Sequence, residues 1–377
     1  MAEPLKVAFL GGGVNSAVGR VHKIALEMDN RFRLVAGCFS RHDDINQQTA
    51  LEYGVDQDRG YPSLSELLKM ESNNLDAIII LTPTPHHKQD VITCLEAKLP
   101  VICEKALAGS SADAAEIEQI LEKTQGFLTV TFNYTGYPIL RELRKLIAQG
   151  QLGKIEQVHV EMPQEGFSRL SKDGKPIIPQ EWRLHDGPIP TISLDLGVHI
   201  HHMLGYLTNE EPEEVVAVQN SFGAFKQIVD NTTCIAKYSN DILCNIWFSK
   251  VAIGHRNGLK VRVYGTTGSA EWVQVQPEEL FLSDNTGHRT ILDRASTDAN
   301  ICDQARYNRF KAGHPSGFIE AFANHYVDIA SSLHNYKLDR KPVLTEHVFD
   351  ITTAKQGLLM LEAMTKSSHT HSWVAVE

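Results

Sequence analysis

The sequence predicts an α/β protein in two domains, an N-terminal doubly wound parallel sheet and a C-terminal α+β domain with a largely antiparallel open sheet. Over residues 1–135, short apolar strands alternate with helical segments, which is the pattern of buried parallel strands joined by helical crossovers. Over residues 136–377, short strands follow one another across turns, and two helical segments close the chain. The length of 377 residues also favours two domains over one.

The N-terminal domain is predicted to be a Rossmann-type domain with right-handed crossovers. Strands are predicted at 7–10, 33–39, 76–81, 101–103 and 128–132, and helices at 17–28, 45–53, 63–70, 88–98 and 111–123. In such sheets ligands bind beyond the carboxyl ends of the strands. Functional residues are therefore expected directly after Leu10, Phe39, Leu81 and Cys103.

The C-terminal domain is predicted to contain strands at 155–161, 215–221, 234–238, 242–248, 259–264 and 270–275, followed by helices at 316–334 and 346–365. The first of these helices carries an apolar stripe at Phe318, Phe322, Tyr326 and Ile329. An open sheet with one free apolar face needs covering, so a homo-oligomer, either a dimer or a tetramer, is expected.

Composition and charge exclude several classes of protein. The chain is 42% hydrophobic and 22% charged, as in an ordinary globular protein. A net charge of −10 and the lack of a Lys/Arg block argue against a nucleic-acid partner. No apolar run reaches the 18 residues of a membrane span, and no signal-peptide pattern precedes the first strand, so a cytoplasmic location is expected. The six scattered cysteines indicate reduced core residues.

A glycine-rich turn follows the first strand. Gly11 and Gly13 fit the start of the dinucleotide fingerprint G-x-G-x-x-G, but Ser16 stands where the third glycine is usual. We interpret residues 14–16 as a three-residue insertion, so that Gly19 is the third glycine. Such a turn directs backbone N–H groups and the positive end of a helix dipole at a pyrophosphate. The alternative is a glycine-rich turn that binds nothing.

Five segments stand in the order and spacing of a known family: Gly11 to His22, Thr82 to His87, Glu104-Lys105, Asp195 to His199, and Gly265 to Ser269. Together they resemble the Gfo/Idh/MocA family of NAD(P)-dependent oxidoreductases, and the resemblance covers nearly the whole chain. It implies a Rossmann domain, a C-terminal open-sheet domain, a bound NAD or NADP, and hydride transfer. Its motifs suggest cofactor contacts at Gly11, Gly13, Val14, Asn15, Ser40, Arg41, Thr82, Pro83, His87, Glu104 and Lys105. Ala106 stands where the family usually has a proline.

The end of the second predicted strand bears on the choice of cofactor. An acidic residue at that place binds the ribose 2′-hydroxyl of NAD, whereas a small hydroxyl residue followed by arginine can hold the 2′-phosphate of NADP. Ser40-Arg41 therefore leans towards NADP. Asp43 or Asp44 turned to the ribose is the NAD alternative.

Three residues are the predicted catalytic group. Asp195 and His199 lie four residues apart and would share one helix face. His199 is the predicted general base for a hydroxyl proton, and Asp195 orients it or holds a substrate hydroxyl. Lys105 can donate to the reacting oxygen. The alternatives are a metal site, which would add His201 and His202, and buried structural histidines; the prediction is that no metal is bound.

Further substrate contacts are predicted at Asn133, Tyr134, Trp182, Arg183 and His314, together with Lys105, Asp195 and His199. Trp182 can pack on a sugar face, and Arg183 can pair with hydroxyls or a carboxylate. The sequence thus predicts a dehydrogenase acting on a secondary alcohol or ketone of a sugar, inositol or sugar acid. The rivals are an NAD-dependent glycosidase that works through transient oxidation and a non-catalytic NADP-sensing regulator.

Overall fold

The computed structural model of the chain describes residues 3–339 and 344–377. In chain order its helices and strands are β1 (Leu5–Gly11), α1 (Ala17–Met28), β2 (Phe32–Cys38), α2 (Asp43–Tyr53), α3 (Leu64–Glu71), β3 (Ala77–Leu81), α4 (Thr84–Glu96), β4 (Val101–Glu104), α5 (Ser111–Thr124), β5 (Leu128–Thr131), α6 (Pro138–Ala148), β6 (Ile155–Pro163), α7 (Val198–Thr208), β7 (Pro212–Asn220), β8 (Asn231–Tyr238), β9 (Ile242–Ser249), β10 (Lys260–Gly265), β11 (Gly268–Val273), β12 (Leu280–Asp284), β13 (Arg289–Leu292), α8 (Phe318–Asp339), α9 (Ile351–Thr370) and β14 (Val374–Ala375).

The chain forms two compact units. The first comprises Met1–Gly136 and Phe318–Lys355, and the second comprises Tyr137–Gly317 and Gln356–Glu377. The sequence-based division at residue 135 had assigned everything beyond it to the second domain, so the structure corrects that division for Phe318–Lys355. The physical reason is the apolar stripe on α8, which packs against the N-terminal core.

The first unit is built on a parallel sheet with the strand order β2-β1-β3-β4-β5. Every residue of β3 and β4 is buried, as expected for strands covered by helices on both faces. Ser63 caps α3 as the sequence predicts, because its Oγ accepts a hydrogen bond from the Glu66 N–H at 3.2 Å. The helix predicted at 88–98 begins earlier, at Thr84, since Pro85 is tolerated in a first helical turn.

Helix α8 completes the core of the first unit by packing on α1. Phe322 and Tyr326 are buried, and the Tyr326 ring meets Phe32 of β2 at 5.6 Å between centroids. The Tyr326 hydroxyl lies 2.5 Å from Nδ1 of His22 on α1. Asn324 donates to the carbonyl of Gly136 at 2.9 Å. A C-terminal helix therefore supplies part of the N-terminal core.

The second unit is built on a mixed sheet with the strand order β13-β12-β11-β10-β6-β9-β8-β7-β14. All neighbours are antiparallel except β6 and β9, which run parallel. The sequence predicts the strands β6 to β11 but not α6, β12, β13 or β14. Because β6 and β9 are parallel, their carboxyl ends at Pro163 and Ser249 lie side by side.

The two faces of this sheet differ in burial. On β8, Cys234, Ala236 and Tyr238 point to the buried face, while Ile235 and Lys237 are exposed. Helix α9 covers the buried face, where Ser367 accepts a hydrogen bond from the N–H of Ala217 at 2.9 Å. The opposite face presents Val216, Val218, Ile235 and Leu243, which we call the outer apolar patch; Val218 is 56% exposed.

A long irregular segment, residues 293–317, is held by two buried charged side chains. The carboxylate of Glu142 on α6 accepts the N–H groups of Asn300, Ile301 and Cys302 at 2.6 to 3.1 Å. The guanidinium of Arg294 donates to the carbonyl oxygens of Tyr307 at 3.4 Å, Phe310 at 3.3 Å and His314 at 3.1 Å, and to Oδ1 of Asn308 at 2.9 Å. Backbone groups without regular partners are thereby satisfied.

Among the residues that the structure describes, none of the helices combines the length and the apolar character needed to cross a bilayer.

Candidate active site

The glycine turn after β1 packs directly on its neighbours. Gly11 has a φ of +81°, and a Cβ built there would come within 2.9 Å of the backbone of Leu81 and Thr82. A Cβ on Gly19 would lie 1.9 Å from the carbonyl oxygen of Gly12. These are the roles of the first and third fingerprint glycines, a tight turn and a close helix contact. The geometry supports the interpretation that Gly19, and not Ser16, is the third glycine.

The turn is compatible with a pyrophosphate at the N-terminus of α1. Ser16 is the N-cap residue of α1, and its side chain makes no capping hydrogen bond. Ser16 N–H donates to the carbonyl of Gly13 at 2.7 Å, and Val14 N–H donates to Oγ1 of Thr49 at 3.1 Å. The Val14 N–H is therefore used within the protein. Asn15 is exposed at the tip of the inserted residues.

The segment after β2 is fixed by Asn46 of α2. Oδ1 of Asn46 accepts the N–H groups of Phe39 at 2.8 Å and Ser40 at 3.3 Å. Ser40 Oγ accepts the N–H of His42 at 3.1 Å, and Arg41 is exposed. Asp43 and Asp44 stand in the first turn of α2, where the positive end of the helix dipole stabilises acidic side chains.

The segment after β3 forms the entrance to α4. Oγ1 of Thr82 donates to the carboxylate of Asp90 at 2.7 Å, and Pro83 is the N-cap of α4. His87 is only 1% exposed, with both ring nitrogens against backbone carbonyl oxygens. Its polar atoms thus face the protein interior, whereas the sequence had suggested a cofactor contact.

Glu104 ends β4 in a buried hydrogen-bond network. Its Oε1 lies 3.0 Å from Nε2 of His22 and accepts from Oγ1 of Thr131 at 2.6 Å. Burial alone raises the pKa of Glu104, but the His22 bond and charge, the charge of Lys105 and the Thr131 bond lower it to about 2. The carboxylate is therefore charged at neutral pH. It anchors the backbone at which Lys105 begins.

Lys105 follows β4 at the carboxyl edge of the sheet and is half-buried. The peptide bond between Lys105 and Ala106 is cis. The glycine turn, Thr82-Pro83 and Lys105 thus all follow neighbouring strands β1, β3 and β4 of one parallel sheet. This is the edge at which open parallel sheets bind ligands.

In the second unit, Asp195 is the centre of a charged cluster. Its Oδ2 lies 2.9 Å from Nη1 of Arg183 and 2.7 Å from Nζ of Lys250. Lys250 Nζ also donates to Oε1 of Gln164 at 2.6 Å. The Arg183 guanidinium stacks over the Trp182 ring at 4.4 Å from its centroid.

Asp195 and His199 lie on consecutive helical segments of different type. Ser193–Gly197 is a π-helical turn that leads directly into α7, where His199 is 6% exposed. The sequence predicts one helix through both residues, and the structure modifies this with a wider turn at Asp195. Single π turns inside helices occur frequently at functional sites.

His201 and His202 are buried on α7. Burial lowers the pKa of His201 to about 4, so its ring is neutral at pH 7. The His202 ring stacks on Tyr206 at 6.1 Å. Within the described ranges, no group of three or more His, Cys, Asp or Glu side chains is arranged to hold a metal ion.

The remaining predicted substrate residues occupy different environments. Asn133 is 3% exposed, and its amide nitrogen has no hydrogen-bond partner among the described residues. Tyr134 is buried and packs edge-on against Phe318 at 5.9 Å. His314 is exposed, with its ring against Phe310 at 4.6 Å.

Sequence reasoning missed Lys250 entirely. Lys250 directly follows β9, just as Gln164 directly follows β6, and these strands are parallel neighbours. Residues at the carboxyl ends of parallel neighbours meet at one sheet edge, which is how Gln164 comes to hold the Lys250 ammonium that pairs with Asp195. The signal is a polar residue after an apolar strand, but the pairing of two strands about 80 residues apart cannot be read from the chain.

The fold and the glycine turn define a dinucleotide-binding α/β protein. Residues 5–132 match the oxidoreductase family with an NAD-binding Rossmann fold, and residues 140–271 match the GFO/IDH/MocA C-terminal domain. The chain therefore belongs to the Gfo/Idh/MocA family of NAD-binding oxidoreductases, as the resemblance implies.

Relatives and solved structures agree in length and fold. The chain is 29% identical to the uncharacterized oxidoreductase YfiI of Bacillus subtilis, over 99% of this chain and 97% of that protein. It is 26% identical to the myo-inositol 2-dehydrogenase of Thermotoga maritima, over 76% of this chain and 80% of that protein. An inositol dehydrogenase homolog from Azotobacter vinelandii, solved with NADH and myo-inositol, superposes with a TM-score of 0.89 at 26% identity, covering 100% of this chain and 98% of that one.

Proposed function

We propose that this oxidoreductase transfers a hydride between the nicotinamide ring and a secondary alcohol or ketone of a sugar, inositol or sugar acid. The observation that carries the proposal is the gathering of the glycine turn, Thr82-Pro83 and Lys105 at the carboxyl edge of one parallel sheet. The relatives that act on inositol, by their names, support a polyol substrate.

In this proposal His199 accepts the hydroxyl proton of the substrate, because a histidine changes its charge near neutral pH and suits a general base. Lys105 and Asp195 fix the reacting oxygen and its neighbour by charge-assisted hydrogen bonds. Arg183 and Lys250 hold the Asp195 carboxylate in place. The bound nicotinamide supplies the hydride acceptor or donor.

Kinetics on variants of the predicted catalytic residues test the proposal. We expect NAD(P)H formation with at least one member of a panel of inositols, aldoses and sugar acids. Lys105→Met and His199→Asn are each expected to lower kcat by about 10²- to 10⁴-fold, the usual contribution of a positioned acid or base. The exposed Lys123→Met and His369→Asn are matched controls.

A loss of only a few-fold when both residues are replaced would overturn the catalytic assignment. Tightly retained cofactor with bond hydrolysis and no net reduction would favour a glycosidase that works through transient oxidation. Cofactor binding with neither reaction would favour an NADP-sensing regulator.

We also propose that the cofactor is NADP. Ser40 and the exposed Arg41 support this, since a hydroxyl and a guanidinium can bind a 2′-phosphate. We expect NADPH to quench the protein fluorescence at lower concentration than NADH, and Arg41→Ala to remove the difference. Equal affinity for the two cofactors in the unmodified protein would contradict it.

We further propose a homo-oligomer in which the outer apolar patch of one subunit packs on that of a second copy. Support comes from Val216, Val218, Ile235 and Leu243, which lie on one face of three adjacent strands; Val218, Ile235 and Leu243 are exposed there and Val216 is half-buried. Exposed apolar faces of this kind are typically covered in the assembled protein.

A further inference from the structure

His87 joins two functional turns of the first unit. It stands on the first turn of α4, and its Nε2 lies 2.6 Å from the carbonyl oxygen of Thr82, which follows β3. Its Nδ1 lies 2.7 Å from the carbonyl oxygen of Ala106, which follows Lys105. Thus one buried ring spans the turn at Thr82-Pro83, a predicted cofactor contact, and the turn at Lys105, which the proposed function assigns to the reacting oxygen.

Both partners of the ring are acceptors. A carbonyl oxygen cannot donate, and a neutral imidazole carries one N–H. Two hydrogen bonds to two carbonyls therefore require the imidazolium form. In the neutral ring, one nitrogen lone pair would face a carbonyl lone pair, and that contact would have to lengthen.

The surroundings of His87 act on its charge in both directions. Burial lowers the pKa of His87, while the bonds to Ala106 and Thr82 and the charges of Glu104 and Asp90 raise it, and the net shift is downward. The charged groups that act on the ring are Asp90 and Glu104. These two carboxylates interact in turn with His86, Cys94, Cys103, Lys105 and His22. Burial raises the pKa of both thiols, which stay neutral, so the two carboxylates are the groups that stabilise a positive ring.

We propose that His87 is a positioning residue for Lys105: its ring ties the backbone beside Lys105 to the turn after β3, with both bonds in the imidazolium form and one in the neutral form. His87 does not touch the reacting atoms in this proposal. It acts through the carbonyl of Ala106, the residue next to Lys105. The expected effect on kcat rests on the proposed function, whereas the hydrogen bonding and protonation of the ring do not.

Nuclear magnetic resonance of the ring tests the bonding directly. In protein labelled with ¹⁵N at histidine, the His87 ring is identified as the one absent from His87→Gln. We expect both its nitrogens to be protonated at the acidic end of a titration, and one to lose its proton below the ordinary histidine pKa of about 6.5. A ring that stays in one neutral tautomer down to pH 4.5 would overturn the two-bond state.

Kinetics test the positioning role. His87→Gln keeps a donor group, the side-chain NH2, and His87→Leu keeps none, while His86→Gln changes the exposed neighbour. We expect kcat to fall by about 10- to 100-fold in His87→Leu and less in His87→Gln, because displacing a catalytic group by about 1 Å can cost about 10²-fold. KM for the polyol and the kcat of His86→Gln should change little.

A folded His87→Gln with the kcat of the unmodified protein would overturn the positioning role, and His87→Gln covers the case in which His87→Leu does not fold. A loss of stability with unchanged kcat would mark His87 as structural only. If the unmodified protein reduced no cofactor with any polyol, the proposed function would fail, and the resonance measurement would still decide the bonding of His87.

Discussion

His201 shows how a single buried histidine ties the stability of the protein to pH. It lies wholly inside the second unit on α7, and burial lowers its pKa to about 4. In an unfolded chain the same ring titrates near pH ~6.5. Between these values the unfolded chain binds more protons than the folded one, so the free energy of unfolding falls as the pH falls. The shift corresponds to about 3 kcal/mol at pH 4 and below.

We expect His201→Leu to reduce this acid sensitivity. The apolar side chain cannot take up a proton, so the loss of stability between pH 7 and pH 4.5 should shrink by about 2 to 3 kcal/mol. Urea unfolding at several pH values measures it. The exposed His255→Leu is the matched control and should keep the full acid dependence. The same pH slope in both variants would contradict the prediction.

Among single residues, the sequence predicts side chains suited to catalysis but not the residues that form hydrogen bonds or ion pairs with them. Lys105 and Asp195 were predicted from motif and position. The bond between His22 and Glu104, and the ion pair between Asp195 and Lys250, join residues 82 and 55 positions apart. Such contacts depend on the tertiary fold, and no local pattern encodes them.

Among the elements, β7, β8 and β9 carry the outer apolar patch, and a charge placed at its centre tests the proposed interface. Ile235 is 38% exposed and lies between Val216 and Asn245 on the neighbouring strands. We expect Ile235→Lys to lower the molecular mass in solution to that of a smaller assembly, because burying an unpaired ammonium is costly. Sedimentation equilibrium measures the mass.

Leu51→Lys places the same charge on an exposed apolar residue of α2, outside the patch, and should leave the mass unchanged. A monomeric unmodified protein, or an Ile235→Lys variant of unaltered mass, would show that the patch is not an interface between copies.

Helices and strands could be predicted from the sequence where their pattern of apolar residues is strong. The wholly apolar β3 and the capped α3 were predicted nearly to the residue. The sequence does not predict β12 or β13, which are only five and four residues long; β13 has the sequence Arg-Thr-Ile-Leu, and most of it is exposed. A strand of this kind is defined by pairing with its neighbour rather than by its own pattern.

On the scale of the whole molecule, the fold class was confirmed, while the chain division was wrong for Phe318–Lys355. The sequence shows the apolar stripe of α8, but the stripe alone does not indicate which hydrophobic core the helix packs against. Tyr326 meets His22 across 304 positions, and this contact assigns α8 to the first unit. Domain boundaries cannot be drawn from chain order alone where a helix near the C-terminus packs into the core of the N-terminal domain.

The hydrogen bonds of Glu142 and Arg294 that hold residues 293–317 affect how this segment can vary in evolution. Both side chains bond to main-chain groups, which every amino acid except proline provides in full. At these points the path of the segment depends on its main chain, whereas the buried side chains of Cys302 and Tyr307 still have to fit the core. Natural variation can therefore exchange the exposed side chains, such as those of Lys311 and His314, while the segment keeps its course.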